Sequence, residues 1–275
     1  MTGPTGRDFP DLRVLDGTLA PDVAFVVTTR EAGASTGAFA SGNLADHVGD
    51  RESAVALNRA SLQRALGATR GLAVIAAEHG ASCRWVYEAG TYGPVDALVT
   101  DTPGLGLVAL GADCSVVAIA GRRSDGSSIA GVAHCGWRGL VADVVGSLVR
   151  EVVEAGAQDL RAIVGPTICG RCYPVDDMRA QQVITHCTPG VAQAAVQLIA
   201  QADGGARHHI DIGAGVRQQL AEASVDVVTV FGCTAEDERW FSYRASSARF
   251  GAGAATGRQA IGVVIGRTSD GIHPQ

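Results

Sequence analysis

The sequence predicts an α+β fold: a single domain over residues 22–275, with mixed β-sheets forming a sandwich-like core flanked by helices, behind a loosely ordered arm at 1–21. Three observations predict it. From Val23 to Ala133 the chain reads as short apolar, β-branched runs broken by Gly, Pro and Asp, which is the pattern of successive strands. After Gly139 the apolar residues recur every three or four positions, the spacing of helices buried on one face. The 275 residues, 47% of them hydrophobic, contain no linker or tandem repeat that would divide the core.

The elements follow in order. Residues 1–21 carry Pro, Gly and Asp with little periodicity, hence the arm. Val23 to Thr29 is an apolar strand ending at Arg30, and the Gly-, Ala- and Ser-rich stretch Glu31 to Asn43 reads as a loop able to approach a ligand. Asp50 reads as the N-cap of a helix to about Leu66, with Val55, Arg59, Leu62 and Leu66 at helical spacing and Asn58 beside them. Strands are expected at Leu72 to Ala77, Ser82 to Tyr87, Ala97 to Thr100 and Leu105 to Leu110. Ser115 to Ala120 and Ile129 to Ala133, joined by the turn-rich Arg122 to Ser128, read as a hairpin. Leu140 to Glu154 reads as one helix with Val144, Val145, Leu148, Val149 and Val152 on its apolar face. A strand at Leu160 to Val164 follows, then two helices between Asp176 and Ile199 broken at Pro189-Gly190, and a helix at Val216 to Glu222. Strands at Val225 to Val230 and Ala260 to Gly266, separated by a Gly/Ala loop from Arg249 to Gly257, complete the chain.

Composition excludes several functions. The net charge of −6 and the absence of a basic stripe argue against a nucleic-acid partner, because neutralising a phosphate backbone takes clustered basic charge. All 22 basic residues are arginine, so Schiff-base catalysis, a lysine-held pyridoxal phosphate and a P-loop lysine are excluded; an anion must be held by arginine forks, backbone N–H groups or metal. Seven cysteines, an odd number, in a chain that opens without an apolar secretory segment point to a reducing cytoplasm. No run of 18 apolar residues exists to span a membrane.

Metal-competent side chains stand at strand ends. Antiparallel pairing in the hairpin brings Cys114, entering its first strand, close to His134, leaving its second. His79 follows another short strand, and His, Cys and His with an open fourth position suits a catalytic zinc shell. By spacing alone, two satisfied histidines and a buried thiol are the simpler account. The helix expected to begin at Gly136-Trp137-Arg138-Gly139 would turn its positive end toward these residues and favour an anion such as phosphate. Cys169 and Cys172 form a CxxC that fits a redox pair or half a zinc site, but no second CxxC and no thioredoxin-like βαβ context accompany it. His186 and Cys187 read as structural, as do His208 and His209, which are expected at the surface with Asp211 capping the next helix.

Ala112-Asp113-Cys114, His134-Cys135-Gly136-Trp137-Arg138-Gly139, His79-Gly80, Cys233-Thr234 and Phe241-Ser242-Tyr243-Arg244 resemble the motifs of the YfiH family, also labelled polyphenol oxidase or laccase-domain proteins. The likeness extends through Thr28-Thr29-Arg30, Asn43-Leu44, Asn58-Arg59, Asp96 to Thr100, Gly165-Pro166 and Gly257-Arg258, roughly residues 25–266. Cys135 stands where Ala is usual, Glu78 where an apolar residue is usual and Gly111 where Thr is common. The resemblance implies a purine nucleoside phosphorylase whose zinc is held by His79, Cys114 and His134. Its partners would be phosphate and a small-molecule nucleoside: adenosine, inosine or methylthioadenosine. Adenosine deamination is the expected side activity, with Asp113 or Glu78 shuttling protons, or Asp113 orienting His79 or His134. Arg30, Asn43, Arg59, Arg138 and Arg244 are the candidate substrate-binding residues. A Cys/His amidase acting on a cell-wall precursor, with Cys114 as nucleophile, is the main alternative, followed by a metal-retaining binding module. Laccase chemistry fits poorly, since seven histidines cannot furnish a multicopper centre and zinc has no redox role.

Overall fold

Small and β-branched residues fill both faces of most central strands, and this decides the architecture in the computed structural model, which describes residues 11–201 and 204–266. The first half of the chain contains β1 (Val14–Ala20), β2 (Val23–Thr28), α1 (Glu52–Leu66), β3 (Leu72–Ile75), β4 (Cys83–Trp85), β5 (Gly90–Tyr92), β6 (Ala97–Thr100), β7 (Gly106–Gly111), β8 (Ser115–Arg122) and β9 (Ser128–Cys135). The second half contains α2 (Trp137–Val141), α3 (Val144–Glu154), β10 (Gln158–Val164), α4 (Asp177–His186), α5 (Pro189–Ala195), β11 (Val196–Ala200), β12 (Ala206–Ile210), α6 (Ile212–Glu222), β13 (Asp226–Val230), α7 (Tyr243–Phe250) and β14 (Gln259–Ile265).

Two six-stranded mixed sheets result, ordered β1-β2-β14-β7-β3-β5 and β13-β10-β8-β9-β6-β4, with β11 and β12 as a separate pair. The sheets face each other across a shared core in which Phe25, Val27, Leu107 and Val263 of one meet Val116, Ala118, Val132 and Leu98 of the other. Successive strand residues point to opposite faces, so Val117 and Ile119 turn outward instead, against Val145, Leu148 and Val152 of α3 and Val216 of α6. On the far side Val26, Val108 and Val264 meet Leu62 and Leu66 of α1. Four layers, helix, sheet, sheet, helix, bear out the expected sandwich-like core flanked by helices. Because the central strands are covered on both faces, they read in sequence as continuous apolar runs without alternation.

Four local expectations are corrected, the first being the second helix expected to reach Ile199, which ends at Ala195 and gives way to β11. The arm at 1–21 is ordered over Val14–Ala20, where β1 pairs antiparallel with β2 and becomes an edge strand; residues 1–10, like 267–275, lie outside the described residues. The helix expected over Leu140 to Glu154 is two helices, because Asp143 adopts a left-handed conformation (φ 60°) and turns its carboxylate onto Gly146 N, starting α3 afresh. Asp50 does not cap α1. Its carboxylate instead accepts from Ser35 Oγ at 2.6 Å and Asn43 Nδ2 at 3.0 Å, while buried Asn58 accepts from Ala34 N at 2.8 Å and donates to Asn43 O at 2.7 Å. The loop 31–45 lacks a ladder of its own, so these polar side chains satisfy its backbone.

A candidate metal centre opening on an arginine-lined cavity

The hairpin register sets the site. Val116 pairs with His134 and Ser115 with Cys135, so Cys114 lies just beyond the end of β8 facing His134. On the other flank β6 pairs with β9, Ala97 opposite Ala133, which places Asp96 beside His134. The buried Asp96 carboxylate accepts from His79 N at 2.9 Å, Gly80 N at 2.7 Å and His134 Nδ1 at 3.2 Å. It holds the left-handed turn at His79 (φ 66°) and, by accepting a hydrogen bond from Nδ1 of His134, orients that ring with Nε2 toward Cys114. The ligand atoms of His79, Cys114 and His134 lie within 4.8 Å of one another, and the two imidazole rings stand perpendicular at 4.8 Å between centroids. Gly136 allows the closure: a Cβ there would sit 3.0 Å from His79 Cδ2 and 3.1 Å from Cys114 Sγ.

Burial alone would raise the Cys114 thiol, but the charge and hydrogen bonds of His134 and His79 outweigh it and bring the thiol down to about 6. Burial would likewise depress His134, yet the Cys114 thiolate and Asp96 carry it up to about 9. Between these values the metal-free centre is a thiolate–imidazolium pair, and two imidazoles with a thiolate are the donor set of a borderline-soft divalent cation. The His79, Cys114, His134 cluster expected from sequence is therefore assembled as a possible metal site. Alkylation of Cys114 in metal-free protein is expected to stay fast as pH falls to about 6, then drop as the thiolate protonates. Cys83 and Cys187, pushed up to about 12 and about 11 chiefly by burial, serve as slow internal controls. Peptide mapping after iodoacetamide checks this; a Cys114 rate that halves near pH 9 contradicts the pairing.

The centre opens on a cavity of about 780 Å³. Four arginines line it: Arg138, Arg179, Arg244 and Arg258. Arg138 and Arg179 lie against the Trp137 ring at 4.8 and 5.1 Å, and Arg244 lies over Tyr173 at 4.9 Å. Arg258 is held by the carbonyls of Thr256 and Gly257, and burial lowers its pKa against the opposing pull of Cys114 and Asp113. Among the described residues only Arg179 of these four forms a salt bridge, a long one of 3.7 Å to Asp176.

Several expected roles move. Asp113 does not orient either histidine; Asp96 does. Asp113 lines the cavity, and its carboxylate accepts from Thr234 Oγ1 and Arg244 N, both at 2.6 Å, pinning the start of α7. Burial raises its pKa, with hydrogen bonds from Thr234, Ser242 and Arg244 working against the rise. Glu78 is exposed, near Ser82 and away from the cavity lining. Of the expected substrate-binding residues, Arg138 and Arg244 line the cavity, whereas Arg30, Asn43 and Arg59 do not. Arg30 donates to Ala40 O, Arg59 to Leu44 O and Asn43 to Ala45 O, so all three serve the backbone of the same loop. The five-residue α2 is too short to supply the helix end expected beside the site. Asp211 caps α6 as expected and His208 pairs with Asp177, but His209 is buried, bonded to Gly170 O, and not at the surface. Sequence reasoning missed Asp96, Arg179 and Arg258 as site residues. The signal for Asp96 was an acidic residue directly before the apolar run Ala97-Leu98-Val99 that opens β6.

Fold and site together define a helix-flanked double-sheet protein with a His/Cys centre of metal-binding type beside a cationic cavity. The chain belongs to the family described as multi-copper polyphenol oxidoreductase laccase, the YfiH family, whose model matches residues 24–266. A purine nucleoside phosphorylase of Streptomyces coelicolor is 37% identical over 229 residues, covering 80% of this chain and 89% of that protein. One from Mycobacterium tuberculosis is 33% identical over 234 residues, covering 83% and 89%. The crystal structure of the hypothetical protein YfiH of Bacillus licheniformis superposes with a TM-score of 0.74 at 25% identity, covering 90% of this chain and 97% of that one. Among the described residues no helix is long and apolar enough to cross a membrane.

Proposed function

We propose that the chain is a zinc-dependent purine nucleoside phosphorylase with adenosine deaminase side activity. The observation that carries this reading is the pairing of the His79, Cys114, His134 centre with an arginine-lined cavity, in a chain whose relatives are named purine nucleoside phosphorylases. When bound, zinc supplies Lewis-acid polarisation or an activated water. The chain's own residues bind and orient. The aromatic-backed forks of Arg138 and Arg244, with Arg258, hold phosphate by charge-assisted hydrogen bonds, the only strong cationic grip open to a chain without lysine. A phosphate oxygen attacks C1′ of the ribose as the C1′–N bond breaks, and the purine leaves with a proton. Asp113, with its raised pKa, is the cavity carboxyl suited to move that proton.

Base release from adenosine or inosine is expected to require phosphate and to yield ribose 1-phosphate, while conversion of adenosine to inosine proceeds without it. Arg258→Ala is expected to weaken phosphate binding by about 1.5–3 kcal/mol, roughly 10- to 150-fold in its KM, with deamination less affected. Phosphate-independent release of base contradicts the reading; an equal loss of both activities together with the melting temperature assigns Arg258 to structure. The Cys114–His134 pair also suits a cysteine amidase acting on a cell-wall precursor. That second reading requires amide hydrolysis that survives chelation and is abolished by alkylation.

A further inference from the structure

Away from the cavity, a second set of donors converges. Sγ of Cys169, Cys172 and Cys233 and a carboxylate oxygen of Glu236 all lie within 4.8 Å of one another. We propose that these four residues form a structural zinc site, distinct from the His79, Cys114, His134 centre, that clamps the 165–173 and 231–242 loops together.

The backbone is shaped for it. Cys169 and Cys172 flank a tight turn closed by Cys172 N to Cys169 O at 3.0 Å. Cys233 and Glu236 flank a second turn of the same span, closed by Glu236 N to Cys233 O at 3.3 Å. A parallel bridge between Thr167 and Cys233 sets the turns side by side, so two donor pairs of i, i+3 spacing face one point. Three thiolates and one carboxylate complete a four-coordinate shell with no open position, which is the structural and not the catalytic form of a zinc site. Supporting contacts are also present. Cys169 N donates to Cys233 Sγ at 3.2 Å, as backbone amides do to ligating thiolates, and Arg171 grips the Glu236 carboxylate through Nε and Nη2 at 2.9 to 3.2 Å. That fork fixes the carboxylate and offsets part of the negative charge the donor set carries beyond a 2+ ion.

A disulfide is the competing use of the same thiols. It joins two of the three cysteines, strands the third and leaves the turn that brings Glu236 to them without a purpose, whereas a cation uses all four donors. The clamp also bears on the cavity. Ile168 and Tyr173, beside the CxxC turn, line it, Ile168 N donates to Asp113 O at 3.0 Å, and Thr234, next to Cys233, holds the Asp113 carboxylate. The two clamped loops thus support the residue that precedes Cys114.

The test removes the first centre and asks what metal remains. The full chain carrying His79→Ala, Cys114→Ala and His134→Ala is expected to retain one zinc per chain by elemental analysis after purification under reducing conditions. After exchange into cobalt it should show a thiolate-to-cobalt charge-transfer band with tetrahedral d–d bands, and these cannot come from Cys114. In the otherwise natural chain, Cys169→Ser with Cys172→Ser is expected to lose that one equivalent and keep the other. Should this variant not fold, Glu236→Gln in the triple variant is expected to weaken retention against a chelator and to shift the cobalt spectrum. The proposal is overturned if the folded triple variant binds no zinc and gives no thiolate band on cobalt addition, or if mass spectrometry of protein prepared with reductant finds a Cys169–Cys172 disulfide. Loss or absence of phosphorolysis leaves these readouts unchanged, so failure of the enzymatic reading is separable.

Discussion

Cys114→Ala is expected to release the metal from the His79, Cys114, His134 centre and to lower kcat/KM for phosphorolysis by at least ~10³-fold, the several kcal/mol that a Lewis acid contributes. His79→Ala and His134→Ala should do the same by removing the other ligands. His134 is buried against Asp96 while His79 is exposed at the cavity edge, so His134→Ala should also lower the melting temperature and His79→Ala should hardly change it. Metal analysis, steady-state kinetics and a thermal melt on each variant separate the two effects. Full activity in a Cys114→Ala protein shown to be free of metal would refute the assignment of this centre.

Asp96→Ala is expected to cost about 3–5 kcal/mol of folding stability, because it strips the partner from two backbone N–H groups and one imidazole in a buried setting. Asp96→Asn preserves the shape but sets an amide N–H₂ against donors, and a metal affinity lower by about 10- to 100-fold is expected even where the fold survives. Burial works to raise the Asp96 pKa, but His134 and the Gly80 and His79 amides hold it below the ordinary carboxylate value. A group whose folded pKa is depressed contributes stability at neutral pH and loses it as pH falls through the folded value. The natural protein should therefore lose this contribution only in acid below the usual carboxylate range, and Asp96→Asn should lack that component. Urea denaturation across pH measures both; a stability curve for Asp96→Asn parallel to that of the natural protein contradicts the role given to Asp96.

The sequence by itself determined, through local periodicity, most of the central strands and the helices α1, α4 and α6, though not β1, β5, β11, β12 or α7, and through composition the chemistry available: histidine and cysteine at strand ends, and arginine as the main cationic grip. It also carried the likeness to the YfiH family on which the His79, Cys114, His134 centre was first assembled. Tertiary structure alone decided which residues surround that centre. Asp96 acts on His134 because β6 lies beside β9, a neighbour relation no local pattern encodes. Arg30, Asn43 and Arg59 fall away from the cavity because the 31–45 loop, without a ladder of its own, takes their hydrogen bonds. Cys169 and Cys172 read as an incomplete pair because Cys233 is 64 residues further along and reaches them only through parallel contact between loops following β10 and β13. Spacing rules describe ligands supplied by one turn. Donors from separate turns are brought together by the order of strands in a sheet, and that order follows from burying both sheet faces at once.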